Sequence, residues 1–221
     1  MKRIVCYGDS NTWGYIPDPG ERSGDRYDEN TRWPTLLQKD LGDAYCVIEA
    51  GMNSRTTSYD DPTCDYLNGR KGLMYTILAA KPVDLLIISL GTNDLKFTDA
   101  RGSSKGLDAL LHLAQSANHI CTDTGCTQAF RGVPQILVVS PISLRPGIST
   151  RVPPSSLAGK YEESLRFCEY YEPVCQRHGV SFLNAALYAT ASETDCIHMS
   201  PQSHKKLSEV IAGEVRKILI S

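Results

Sequence analysis

Four short stretches of this chain hold residue types that can act together on an electrophilic carbon. The first, Val5-Cys6-Tyr7-Gly8-Asp9-Ser10-Asn11-Thr12-Trp13-Gly14, is an apolar run that breaks at a glycine and delivers a serine. A serine hydroxyl is a poor nucleophile until a neighbouring base takes its proton, and that base must be oriented by a third group. Both are supplied near the other end by Asp195-Cys196-Ile197-His198. Between them lie Gly51-Met52-Asn53-Ser54-Arg55-Thr56 and Gly91-Thr92-Asn93-Asp94, each placed just after a strand-like run where it can offer donors to a developing oxyanion.

His198 stands three residues after Asp195, so one loop can present both, with the carboxylate orienting Nδ1 and Nε2 left facing the serine. An imidazole takes and returns a proton near neutral pH. The bland alternative is a solvated loop histidine beside a helix-capping aspartate. The other histidines compete poorly: His112 and His119 fall in a helical pattern, His178 at a helix end, and His204 in the first turns of the last helix. Gly-Thr-Asn-Asp after a strand is also ordinary turn chemistry. What raises Asn93 is company, because an asparagine amide aimed at an oxyanion is worth roughly 10²–10³ in rate and neighbouring backbone N–H groups can complete the hole.

These residues need a scaffold that brings distant loops together, and the hydrophobic pattern supplies one. Strand-like runs at 3–7, 45–50, 84–90, 135–140 and 180–183 alternate with helical patterns at 33–41, 73–80, 105–120, 155–178 and a last helix opened by Ser200 and Pro201. Pro173 is expected to kink the fourth helix and Gly179 to end it. Gly8 is expected to supply the backbone angles of a sharp turn before Ser10. Such alternation implies a doubly wound parallel sheet with sites beyond the carboxyl ends of its strands. The Gly- and Pro-rich segments 14–31 and 141–154 are expected to rim the cleft, with the site residues meeting at one edge.

The 221 residues, 41 % hydrophobic, suit one α/β domain spanning 1–221. A net charge of -2 from 23 basic and 25 acidic residues leaves no electrostatic footprint for nucleic acid or an anionic membrane. Residues 1–6 enter a strand pattern at once, and no run is long enough to span a bilayer, so a cytoplasmic protein is expected. Eight cysteines then read as small buried apolar residues. Cys121 and Cys126 form a close pair without zinc-site spacing, a disulfide candidate only in an exported protein.

Taken together, the blocks resemble those of the GDSL-type SGNH hydrolases, serine esterases and lipases with a flavodoxin-like, three-layer α/β/α fold around a five-stranded parallel sheet. Gly8-Asp9-Ser10-Asn11 matches the first block, with Asn11 where leucine is common; Gly91-Thr92-Asn93-Asp94 matches the third and Asp195-x-x-His198 the last. The resemblance covers nearly the whole length. It implies Ser10 as nucleophile, His198 as base, Asp195 as its orienter, and an oxyanion hole from the N–H groups of Ser10 and Ser54 and the Asn93 amide. Ser54 stands where the family usually has a glycine; a backbone donor survives that change. No metal or organic cofactor is implied. Thr12-Trp13-Gly14, Arg32-Trp33-Pro34 and Ser54-Arg55-Thr56-Thr57 look most like the arylesterase and acyltransferase branch, which implies a homo-oligomer acting on short acyl esters. Carbohydrate deacetylation uses the same machinery and is the runner-up, followed by a non-catalytic binding domain. Asn11 and Trp13 are the candidates for substrate contact, Trp13 being equally suited to wall packing.

Overall fold

Alternate residues of a strand face opposite sides of a sheet, so a strand covered on both sides reads as unbroken apolar sequence. In β1 (Lys2–Gly8), Val5 and Tyr7 point into one helical layer, Ile4 and Cys6 into the other, and all four are fully buried. The computed structural model describes residues 1–18, 24–62, 64–122 and 125–220. After β1 come α1 (Ser10–Trp13), α2 (Trp33–Leu41), β2 (Tyr45–Gly51), α3 (Gly69–Ala80), β3 (Leu85–Ser89) and α4 (Ala100–Gln115). A short hairpin, β4 (Ile120–Thr122) and β5 (Gly125–Thr127), precedes β6 (Ile136–Val139), α5 (Tyr161–Ser164), α6 (Phe167–His178), β7 (Ser181–Leu183) and α7 (Pro201–Ile220).

Five strands form a parallel sheet in the order β2-β1-β3-β6-β7, the doubly wound arrangement expected from the sequence. Trp33 and Leu37 of α2 and Leu207, Ile211 and Val215 of α7 cover one face. On the other, α3, α4 and α6 contribute residues such as Ile77, Leu110 and Tyr171. Each fully buried aliphatic side chain contributes about 1.5–3 kcal/mol. The direction of winding reverses at β1, whose neighbours are β2 and β3, and there the loops after adjacent strands diverge into a crevice. Arg32 pins the segment leading into α2 to β2, its Nε and Nη2 donating to the Glu49 carboxylate at 2.8 and 2.9 Å. Among the described residues no helix is long and apolar enough to cross a membrane.

Several boundaries differ from the sequence expectation for local reasons. Helices α3 and α4 begin earlier, because Asn68 and Asp99 act as caps, accepting from Arg70 N at 3.0 Å and Gly102 N at 2.6 Å. The expected helix over 155–178 is two helices that begin only at Tyr161. Gly159, at φ +77, takes left-handed backbone geometry that a helix cannot pass through, and the chain breaks again at Leu165 and Arg166. By contrast α6 runs through Pro173. The polar connection after α4 contains the hairpin, in which Cys121 is paired in register with Cys126; their side chains lie outside the description.

Candidate active site

Gly8 ends β1 for a steric reason and not for the backbone angles expected of it. A Cβ there would stand 2.0 Å from Thr12 Oγ1 and 2.8 Å from the Ser89 carbonyl oxygen, so only glycine lets α1 fold back against the tops of β1 and β3. Asp9 caps α1 by accepting from Asn11 N at 3.0 Å, which makes Ser10 the first helical residue. Burial pushes the Asp9 carboxyl up to about 6, against the Asn11 N–H and the nearby His198, Arg55 and Lys96, which pull it down.

Ser10 lies 188 positions from His198, yet its Oγ is 2.8 Å from His198 Nε2. His198 Nδ1 is 2.6 Å from Asp195 Oδ2, and Asp195 is wholly buried. The other carboxylate oxygen of Asp195 accepts from the backbone N–H groups of Ile197 and His198, both at 2.9 Å. One aspartate therefore folds the loop and orients the ring that the loop carries. The tight turn holds Cys196 at φ +66, in the left-handed region that side chains disfavour. His204 is no rival base: burial drives it down to about 3, the charges of His198 and Arg32 acting in the same direction, and its Nδ1 accepts from Trp33 N at 3.3 Å.

The two other segments close over the same point. Ser54 follows β2 at φ +62, a conformation that explains why a glycine would be at home there. Asn93 follows β3, and its Nδ2 donates to the Arg55 carbonyl at 3.1 Å, which orients the amide while leaving a second N–H. Arg55 itself is buried, lies over the Tyr7 ring at 4.1 Å and donates to the Gly8 carbonyl at 2.8 Å, so the loops after β1, β2 and β3 are tied together. Behind them Asp94 accepts from Thr57 N at 2.8 Å and from Thr57 Oγ1 and Ser103 Oγ, both at 2.6 Å, although burial still pushes it up to about 7.

Ser10, Ser54, Asn93 and His198 line one cavity of about 100 Å³, closed by Tyr15, Leu157 and Ile197. It lies beyond the carboxyl ends of β1, β2 and β3, as expected from the sequence. The first wall does come from the 14–31 segment, through Tyr15, although residues 19–23 lie outside the description. The second comes from Ser156 and Leu157, just beyond the expected 141–154 segment. A wider, open groove of about 570 Å³ adjoins the cavity at Asn53 and Ser54 and is lined by Trp13 and Tyr66. Trp13 thus faces the groove and not the nucleophile. Asn11, the other candidate for substrate contact, is placed as a brace: its Oδ1 accepts from Met199 N at 2.9 Å and its Nδ2 donates to the Ile197 carbonyl at 3.4 Å, clamping the histidine loop from both sides.

Two contributors were not visible in the sequence motifs, Arg55 as an organiser and Tyr15, whose ring stacks on His198 with centroids 4.3 Å apart and planes at 28°. The stack steadies the imidazole. Tyr15→Ala is expected to lower kcat by about 2- to 30-fold, the span of a cation–π contact, and Tyr15→Phe to keep most of the activity. Steady-state kinetics decide it: a Phe variant as impaired as the Ala variant would put the role in the hydroxyl.

Solved structures of known proteins share this fold. The native M. smegmatis aryl esterase is 30 % identical, with 99 % of this chain and 100 % of that one covered and a TM-score of 0.87. Est24, a carbohydrate acetylesterase from Sinorhizobium meliloti, is 30 % identical over 98 % of this chain and 99 % of its own, with a TM-score of 0.86. A putative arylesterase from Agrobacterium tumefaciens str. C58 is 30 % identical over 99 % and 100 % of the two chains, with a TM-score of 0.81. No curated protein sequence is significantly similar to the chain. A sequence profile of the GDSL-like lipase/acylhydrolase family matches residues 6–206, and with the three-layer fold around it the chain belongs to that family.

Proposed function

We propose that this serine ester hydrolase cleaves short acyl esters through a covalent intermediate on Ser10. The observation that carries the reading is the unbroken chain from Asp195 through His198 to Ser10 Oγ, opening on a cavity of only about 100 Å³. Pockets for drug-sized ligands run to about 300–1,000 Å³, so a space of this size suits an acyl group of few carbons. Ser10 Oγ attacks the ester carbonyl while its proton passes to His198 Nε2. Asn93 and the N–H groups of Ser10 and Ser54 hold the oxyanion. The proton then goes to the departing alcohol, and water, activated by the same histidine, releases the acid. An alcohol that takes the place of water yields a new ester.

The alcohol half of the substrate lies in the groove beyond Ser54 in this reading. Exposed Tyr66 and the ring of Trp13 line that groove, and such surfaces also suit a sugar ring, which favours carbohydrate deacetylation as the second reading. The likeness to both an aryl esterase and a carbohydrate acetylesterase supports keeping the two together. We further assign the protein to the cytoplasm, where the thiols of Cys6, Cys46, Cys64, Cys168, Cys175 and Cys196 stay reduced, and expect one catalytic domain per chain in a homo-oligomer.

A chain-length series of aryl esters, run with and without a primary alcohol while acid and new ester are both quantified, tests the assignment. Turnover is expected to fall as the acyl chain lengthens from acetyl, with new ester rising with alcohol. Activity that increases toward long chains would exclude the short-acyl reading, and free acid alone at every alcohol concentration would exclude transfer. Acetylated sugars turned over faster than any aryl acetate would establish deacetylation instead.

A further inference from the structure

The seam between α4 and α6 carries a cluster that ester hydrolysis does not use. Asp108 and His112 lie one turn apart on α4, His178 is the last residue of α6, and one potential ligand atom from each lies within 4.8 Å of the others. Gln115 fixes the histidine of α6. Its Nε2 donates to the His178 carbonyl at 2.9 Å, which turns Oε1 toward ring Nδ1 at 2.8 Å and makes Nδ1 the donor. In the neutral ring Nε2 then carries a lone pair, and it faces an acceptor, Asp108 Oδ1, at 2.9 Å. His112 brings a second nitrogen to within 3.8 Å of Asp108 Oδ2, so two imidazoles and a carboxylate converge on one point.

We propose that Asp108, His112 and His178 form a binding site for a transition-metal dication of the zinc class, with water completing the coordination. Two imidazoles and a carboxylate are a donor set zinc accepts, and the Gln115 bond at Nδ1 is the outer contact that orients a ligating histidine. Donor atoms around tetrahedral zinc, with bonds of about 2.0–2.1 Å, stand roughly 3.3–3.4 Å apart. His178 and Asp108 must therefore separate slightly and His112 move in, which its 73 % side-chain exposure permits. Arg177 opposes the ion, since its Nη2 lies 3.3 Å from Asp108 Oδ1, and Arg70 lines the same hollow. The cluster shares no residue with the Ser10 cavity, so its effect is to fasten the end of α6 to α4.

The test uses the full chain, free of any affinity tag and stripped with chelator, titrated with zinc by calorimetry and followed by thermal unfolding. Uptake of one equivalent is expected, with Tm raised by about 5–10 °C at zinc 100-fold above Kd. His112→Ala, at an exposed position, should abolish both effects while leaving the metal-free Tm unchanged. Arg177→Ala should tighten binding, because it frees Asp108. No uptake by the parent protein, or equal uptake by the His112→Ala variant, would overturn the site.

Discussion

Ser10→Ala is expected to lower kcat by roughly 10⁴–10⁶-fold, and the Ser10→Ala, His198→Ala double variant to be hardly worse than either single variant. The reason is geometric. Among the described residues the 2.8 Å contact to His198 Nε2 offers the serine proton its path, and in the proposed mechanism the loss of either partner leaves the other with nothing to act on. Asp195→Asn extends the test. Asp195 Oδ1 accepts from two backbone N–H groups, so an asparagine would keep its oxygen there and turn its NH2 toward His198 Nδ1. The ring would then carry its proton on Nε2, unable to receive one from Ser10, and a loss on the order of 10⁴ follows with the fold intact. Single-turnover measurements on an activated ester, with circular dichroism to verify folding, check all three. Residual activity in Ser10→Ala within tenfold of the parent would remove the serine from the mechanism.

How much of this could be read in advance depends on how local each determinant is. The alternation of strands and helices was legible because both faces of the sheet are covered, which turns Leu85–Ser89 and its neighbours into apolar runs. Asp195 and His198 were legible because one turn carries both. Arg55 and Tyr15 were not: Arg55 acts through carbonyls and a ring brought to it by other strands, and Tyr15 reaches His198 across 183 positions. The bracing role of Asn11 was hidden for a related reason. Sequence shows that it follows the nucleophile but not that the backbone of Met199 and Ile197 already occupies its amide. The early starts of α3 and α4 were readable in principle, since Asn68 and Asp99 are strong caps, but neither announces itself without the helix it caps.

Asn93→Ala is expected to reduce kcat by roughly 10²–10³ with little change in KM, because in the proposed mechanism its amide serves the oxyanion and not the ground-state ester. Ser54 provides the internal contrast. Its proposed contribution is a backbone N–H, and at φ +62 that N–H is aimed by the backbone alone. Ser54→Gly should therefore keep the hole, and it should also relieve about 1–2 kcal/mol of left-handed strain. An increase in Tm with kcat held within a few-fold of the parent is the expected outcome. Asn93→Asp sharpens the argument, since it preserves size while replacing the donating NH2 with an acceptor that faces the Arg55 carbonyl, at 3.1 Å from the original nitrogen. That variant should be at least as impaired as Asn93→Ala, because a charge now repels the oxyanion it formerly held. Kinetics on one activated ester across the four proteins decide the matter. Should Ser54→Gly lose as much as Asn93→Ala, the Ser54 hydroxyl itself would be the donor, and the loop after β2 would act through its side chain.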